Sequence, residues 1–264
     1  MTQPGLLTYR SLIWNFAQRD LKSRFKGTLV GWGWSLLLPI ASLLTYTLVA
    51  HYIFRATVPD FGNGHKANFA VWLFVGLTAW NFFAGGLLTA IAGLVGNGPL
   101  LKKIYFPSYA SILGSVVAVG VQSLIEVGLL LVVVLLFGNI GLSWLLLPVW
   151  VLLFAAFVAG TATVCSIANI YFRDLQHLIT VAIQLLFYAT PILYEVGKIP
   201  AGPLRRILSA NPLSQFVDLF RDMVYGLTPG SWKSWAYIFV WSVLAVAAGV
   251  WVFKRNGRDL GEQL

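Results

Sequence analysis

Residues 104–172 read IYFPSYASILGSVVAVGVQSLIEVGLLLVVVLLFGNIGLSWLLLPVWVLLFAAFVAGTATVCSIANIYF, 69 residues with a single formal charge, Glu126. No water-soluble domain tolerates such a run, whereas a bilayer core takes about 20 apolar residues per helix. The stretch therefore holds two membrane spans joined by a turn near Gly138–Ser143. Its flanks carry the charges: Leu101-Lys102-Lys103-Ile104-Tyr105-Phe106-Pro107 on one side and Asn169-Ile170-Tyr171-Phe172-Arg173-Asp174-Leu175 on the other.

The rest of the chain repeats this pattern. It is 58% hydrophobic and 10% charged, against about 25% charged in a typical soluble domain. Four more uncharged runs occupy Gly27–Ala50, Ala67–Leu101, Leu175–Tyr194 (His177 neutral) and Ser234–Phe253. The expected fold is an all-α integral membrane domain over residues 1–264, with six spans near 28–52, 68–95, 108–137, 143–171, 175–194 and 233–254. The second run exceeds one span and takes in an interfacial segment. Met1–Lys26 is polar and basic, without the apolar core of a cleavable signal peptide.

Before span one, Tyr9, Leu12, Ile13, Phe16, Ala17, Leu21 and Phe25 recur at helical spacing while Arg19, Lys22 and Lys26 share a polar face. This predicts an amphipathic interfacial helix over residues 8–26, lying in the headgroup plane. Pro39 falls inside span one and is expected to kink it. Trp32, Trp34, Trp72 and Trp80 are read as interfacial aromatics.

Lys and Arg set the orientation. With both termini cytoplasmic, eleven lie inside: Arg10, Arg19, Lys22, Arg24, Lys26, Lys102, Lys103, Arg173, Lys254, Arg255 and Arg258. Seven lie outside, five of them in one long loop, which weighs less than short ones. The net charge of +9 is assigned to anionic headgroups of the cytoplasmic leaflet rather than to nucleic acid. Cys165, the lone cysteine, lies within a span and forms no disulfide within the chain.

The last outer loop, residues 195–231, holds four prolines and two short helix candidates placed at or in the outer leaflet. The clearer one starts with Asn211 as N-cap and Pro212 at the first helical position. Leu213, Phe216, Val217, Phe220 and Val224 form its apolar stripe, with Asp218, Arg221 and Asp222 expected to face away and Gly226 to end it.

Chemistry-bearing motifs are sparse. There is no G-x-x-x-x-G-K-[ST] phosphate loop, and Gly31-Trp32-Gly33 is no dinucleotide fingerprint. His51, His65, His177 and Cys165 lack metal-ligand spacing, and no nucleophile constellation is present. The chain is expected to be no enzyme, to bind no cofactor or metal and to hydrolyse no nucleotide by itself.

Taken together, the short motifs are informative. Arg19-Asp20-Leu21-Lys22-Ser23-Arg24-Phe25-Lys26 followed by Gly31, Trp34 and Pro39, and then Lys102–Pro107, resemble the ABC-2 permeases that export bacterial polysaccharides. So do the 169–175 segment with Thr190-Pro191-Ile192-Leu193-Tyr194, and Asn211-Pro212-Leu213 with Phe216 and Phe220-Arg221. The resemblance runs in register over nearly the whole chain. That family includes the membrane subunits for O-antigen, capsule, teichoic acid and related cell-wall glycans.

The resemblance implies a multi-pass subunit of the bacterial cytoplasmic (inner) membrane. Two copies would form a channel for a polyprenyl-diphosphate-linked glycan, driven by two copies of a separate ATPase subunit that carries ATP and Mg. Residues 97–107 would couple to that ATPase, with Lys102, Lys103, Tyr105, Phe106, Arg173 and Asp174 as contact candidates; Lys102 and Lys103 equally serve as positive-inside residues. Arg19, Lys22, Arg24 and Lys26 are candidates for meeting the anionic diphosphate head, since cationic side chains suit phosphate. Tyr46, Phe187, Tyr188 and Tyr194 are channel-lining candidates, because rings stack on sugar faces; packing toward lipid is the alternative. Glu126 is a further lining candidate. A carboxylate inside a span costs about 2.5–3.5 kcal/mol on insertion scales, so it faces either a watery lumen or a structural partner such as Gln122. The competing functions are an ABC-2 exporter of a drug or small lipid and, more distantly, a membrane-embedded glycan-processing enzyme.

Overall fold

The computed structural model describes residues 9–25, 30–48, 58–66, 68–103, 106–172 and 174–256. Lys26, Tyr105 and Arg173 lie outside the described residues, as do the side chains of Arg24, Tyr46, Lys102 and Lys103. The described chain is helical, without a strand. In order the helices are α1 (Arg10–Phe25), α2 (Trp34–Leu48), α3 (Phe69–Gly96), α4 (Gly98–Lys103), α5 (Tyr109–Leu136), α6 (Leu147–Tyr171), α7 (Leu175–Ala189), α8 (Pro203–Ala210), α9 (Pro212–Val224) and α10 (Trp232–Asn256).

Four of these are long and apolar enough to cross a membrane: α3, α5, α10 and α6 with the 3₁₀ turn that precedes it, Leu142–Tyr171. They coincide with four of the six expected spans. The other two expected spans hold α2 and α7, of 15 residues each. At about 1.5 Å per residue α7 is roughly 22 Å long, short of the roughly 30 Å hydrocarbon core, whereas α2 runs up to residues outside the described ones. α7 stops at Ala189 because Thr190 precedes Pro191 and takes an extended conformation (φ −107, ψ 136), as the proline ring requires of its neighbour. Tyr194 consequently sits in a turn and not on the helix.

α3 is the centre of the bundle, with seventeen of its 28 residues buried. Trp72 and Trp80, expected at the membrane interface, are 3% and 8% exposed and belong to this core. Their neighbours are protein groups that sequence spacing does not reveal: Arg221 for Trp72, and Phe83 and Phe187 for Trp80. α10 shows a single buried stripe, Ile238, Ser242, Ala245 and Gly249, and leaves Phe239, Val243, Val250 and Trp251 exposed, the pattern of a lipid-facing helix. Its seam with α6 is backbone against backbone: a Cβ at Gly160 would stand 2.3 Å from the Ala245 carbonyl carbon. Small residues permit such crossings in membranes.

α1 does not leave its apolar stripe to lipid. Phe16, Ala17 and Leu21 are buried, and the Asp20 carboxylate accepts a 2.6 Å hydrogen bond from Ser115 Oγ on α5. Phe16 also packs on Phe106, 5.2 Å between centroids. Tyr109 meets Phe253, and Tyr171 Oη donates to the Asn256 carbonyl at 3.3 Å. α1, α4 and the C-terminal ends of α6 and α10 thus gather at one end of the bundle. At the opposite end, Asn139 Nδ2 donates to the Val224 and Tyr225 carbonyls at 3.1 and 3.0 Å. Its Oδ1 accepts from Asn63 N at 3.2 Å, and Phe61 stacks on both Phe137 and Tyr225.

Candidate functional site

α9 starts as its sequence dictates: Asn211 Oδ1 accepts from Leu213 N at 3.0 Å, with Pro212 in the first turn. Leu213, Phe216, Val217, Phe220 and Val224 are all buried. Trp150 of α6 receives Phe216 and Phe220, its ring 4.3 Å from that of Phe220 and tilted by 12°. Its Nε1 donates to the Phe216 carbonyl at 3.0 Å.

Arg221 overturns the expected outward polar face. It is 6% exposed, with its guanidinium carbon 3.5 Å from the Trp72 ring centroid. Nη2 donates to the Ile192 carbonyl at 2.7 Å and Nη1 to the Pro191 carbonyl. Gly76, one turn along α3 from Trp72, makes the room: a Cβ there would lie 2.5 Å from Nη2. Burial pulls Arg221 down to about 9, while Asp218 and Glu195 pull it upward, so it stays a cation at neutral pH. Half-buried Asp218 is pushed up to about 6 by burial; Arg221 opposes this, and Asp222 and Glu195 add to it.

Two motifs distant in sequence therefore dock on each other. Asn211 Nδ2 donates to the Ala189 carbonyl and to Thr190 Oγ1, both at 3.1 Å, and Arg221 holds the next two carbonyls. The chain from Ala189 to Ile192, the start of the 190–194 turn, is thus clamped by α9 and its N-cap. Beyond the clamp, Tyr194 Oη donates to the Tyr188 carbonyl at 2.8 Å. An open cleft of about 720 Å³ is lined there by Tyr188, Leu193, Tyr194, Glu195 and Lys198, the last two forming a 3.0 Å ion pair.

α7 presents three distinct sectors at about 100° per residue. Ile179, Ile183 and Leu186 meet the bundle, while Leu178, Ala182 and Leu185 are exposed and apolar. The third carries Gln176, Thr180, Gln184 and Tyr188, of which all but half-buried Thr180 are exposed. Thr180 Oγ1 bonds its own helix; among the described residues the Gln176 and Gln184 side chains have no partner. An unpartnered amide in an apolar medium costs about 1–3 kcal/mol by mutational measures, so this sector meets water or another polar surface. Its i, i+4 spacing was open to sequence inspection, but the run scores simply as uncharged.

The candidates divide accordingly. Tyr188 and Tyr194 come together at the cleft, while Phe187 packs on Trp80, 5.4 Å away. Glu126 is buried between α5 and α3, where Asn81 Nδ2 donates to Oε2 at 3.4 Å and a side-chain bond joins it to Gln122. At the other end of the bundle Arg19 and Lys22 are exposed on α1, Phe106 is buried under Phe16 and Asp174 is exposed.

The profile of the ABC-2 type transporter family matches residues 11–225. The chain belongs to the ABC-2 type transporter family. It is similar to the O-antigen export system permease protein RfbA of Klebsiella pneumoniae, 26% identical over 239 residues that span 90% of this chain and 88% of that one. RfbA of Myxococcus xanthus is 29% identical over 223 residues, 83% and 82% of the two chains. The polysialic acid transport protein KpsM of Escherichia coli is 23% identical over 252 residues, 90% of each. The ABC-2 match takes in every element of the clamp, from Trp72 to Arg221.

Proposed function

We propose that this chain is the membrane permease subunit of an ATP-driven exporter that moves a lipid-linked polysaccharide from the cytoplasmic side of the bacterial inner membrane. The observation that carries the cargo is the similarity, over most of the chain, to permeases named for O-antigen and polysialic acid. The geometry agrees with a path for a polar polymer rich in hydroxyls. The α7 sector offers two amides that donate to and accept from hydroxyls without holding a charge, and it leads from Gln176 toward the Tyr188–Tyr194 cleft.

In this account α2 and α7 complete six spans once two copies assemble, and the wet sector of α7 borders the channel between them. α4 and the connection between α6 and α7 face the cytoplasm and meet a separate ATPase that carries ATP and Mg. Arg19, Lys22, Arg24 and Lys26 meet the diphosphate head, and Tyr46, Tyr188 and Tyr194 offer ring faces to sugars. Phe187 and Glu126 act from within the wall: Phe187 holds α7 to α3, and Glu126 ties α5 to α3. The outer helices α8 and α9 cap the exit.

Conditional depletion of the protein, followed by mass spectrometry of lipid-linked glycans and surface labelling of polymer, tests the proposal. Long polyprenyl-linked chains accumulating inside with loss of surface polymer is the expected result. Unchanged glycans would turn the assignment to the export of a drug or small lipid.

A further inference from the structure

α9 carries a buried cation where an apolar residue would pack with less penalty. Removing a charge from water is expensive, and pairs replaced by apolar side chains of similar volume are often neutral or more stable. Among the described residues Arg221 has no acid within ion-pair distance, and its Nε has no partner. Its presence is therefore not explained by stability alone.

α9 has docking contacts besides Arg221. Phe216 and Phe220 are fully buried and are held by Trp150 through stacking and through its Nε1 bond to the Phe216 carbonyl. Arg221 instead does something the aromatic stripe cannot. Its planar fork reaches two consecutive carbonyls, Pro191 and Ile192, with the Trp72 ring beneath it. Lys, with a compact ammonium, cannot reproduce a planar, bridging and stacked arrangement. The two carbonyls belong to the segment that leaves α7, and the next three residues, Leu193, Tyr194 and Glu195, wall the outer cleft.

We propose that Arg221 is a positioning residue for export: it fixes the direction in which the 190–194 turn leaves α7 and so sets Tyr194 against Tyr188 at the exit of the path. This rests on the proposed polysaccharide cargo. Arg221 touches no substrate; it acts through the turn. Trp72 and Gly76 are its seat, one supplying the ring and the other the space.

The test uses the full complex with its ATPase, in nanodiscs and in cells. Arg221→Lys keeps the charge and loses the fork; Arg221→Met keeps the length of the stem and loses the charge. Each is combined with Cys165→Ser and a single reporter, Leu193→Cys, with Leu145→Cys as control, Leu145 being exposed elsewhere at the same end. Both variants are expected to keep normal membrane levels and ATPase activity. Maleimide labelling at position 193 should rise at least fivefold while labelling at 145 stays constant, and exported polymer should fall at least fivefold. Unchanged labelling and export in both variants would overturn the proposal. Equal loss of protein and export, with labelling raised at both reporters, would also overturn it by showing a general structural role. Should the wild-type complex export no glycan, the cargo assignment fails, while labelling at 193 alone still decides whether Arg221 pins the turn.

Discussion

Lowering the pH should tighten α9 against the bundle. The group responsible is Asp218, whose carboxyl burial raises from its ordinary 3.8 to about 6. A carboxyl with a raised value binds protons more readily when α9 is docked than when it is open. Docking is therefore favoured at low pH, and the advantage fades as pH climbs through about 6, with little change above 7. Between pH 5 and pH 7.5 the shift amounts to about 1.4 kcal/mol, roughly tenfold in the opening equilibrium. Because Asp218 is only half-buried, solvent screening makes this an upper figure. Asp222 is raised by burial too and adds in the same direction. Hydrogen exchange of α9 amides in the purified complex, corrected for intrinsic rates, reads the effect directly. Wild type should open more often at pH 7.5 than at pH 5, and Asp218→Asn should remove most of the difference. A flat profile in wild type, or an unchanged profile in Asp218→Asn, would refute the assignment of this carboxyl.

Three further outcomes follow from named contacts. Single cysteines at Gln176, Thr180 and Gln184 should react with an aqueous maleimide at least tenfold faster than cysteines at Leu178 and Leu185, which sit on the apolar sector of α7. Glu126→Gln should preserve the bonds to Asn81 and Gln122 and leave the melting temperature of the complex unchanged. Glu126→Leu strands both partners and should destabilise by about 1–3 kcal/mol, read as a lower melting temperature. Gly160→Leu forces a side chain into the Ala245 backbone and should lower stability by at least about 1–3 kcal/mol, reducing recoverable complex while Gly128→Leu, at an open site, does not.

What could be read from the sequence was local. The 104–172 run gives α5 and α6 because a chain that apolar admits only spanning helices in a bilayer. The Asn211–Pro212 start of α9 is a capping signal complete within three residues. Arg221 was misplaced because a charge beside Asp218 and Asp222 on an amphipathic helix reads as solvated. Only the distant Trp72, Gly76 and the free carbonyls of the 190–194 turn explain its burial. The same holds for Trp72 and Trp80, where interfacial statistics yielded to partners on α9 and α7. Asp20 accepts from Ser115 on α5, 95 residues away, a partner that no local pattern in α1 announces. The polar residues of α7 stand in plain view at fourfold spacing, whereas of the aromatic candidates Phe187 packs inward and Tyr194 lies beyond the helix.

The central claim is that this chain moves a lipid-linked polysaccharide with energy from a separate ATPase. It is tested most directly with inverted membrane vesicles containing the chain and that ATPase, supplied with radiolabelled polyprenyl-linked glycan. ATP should drive the glycan into the lumen, where it resists added glycosidase, and vesicles lacking either subunit should leave it exposed. Glycan that stays accessible in complete, ATP-hydrolysing vesicles would contradict the account.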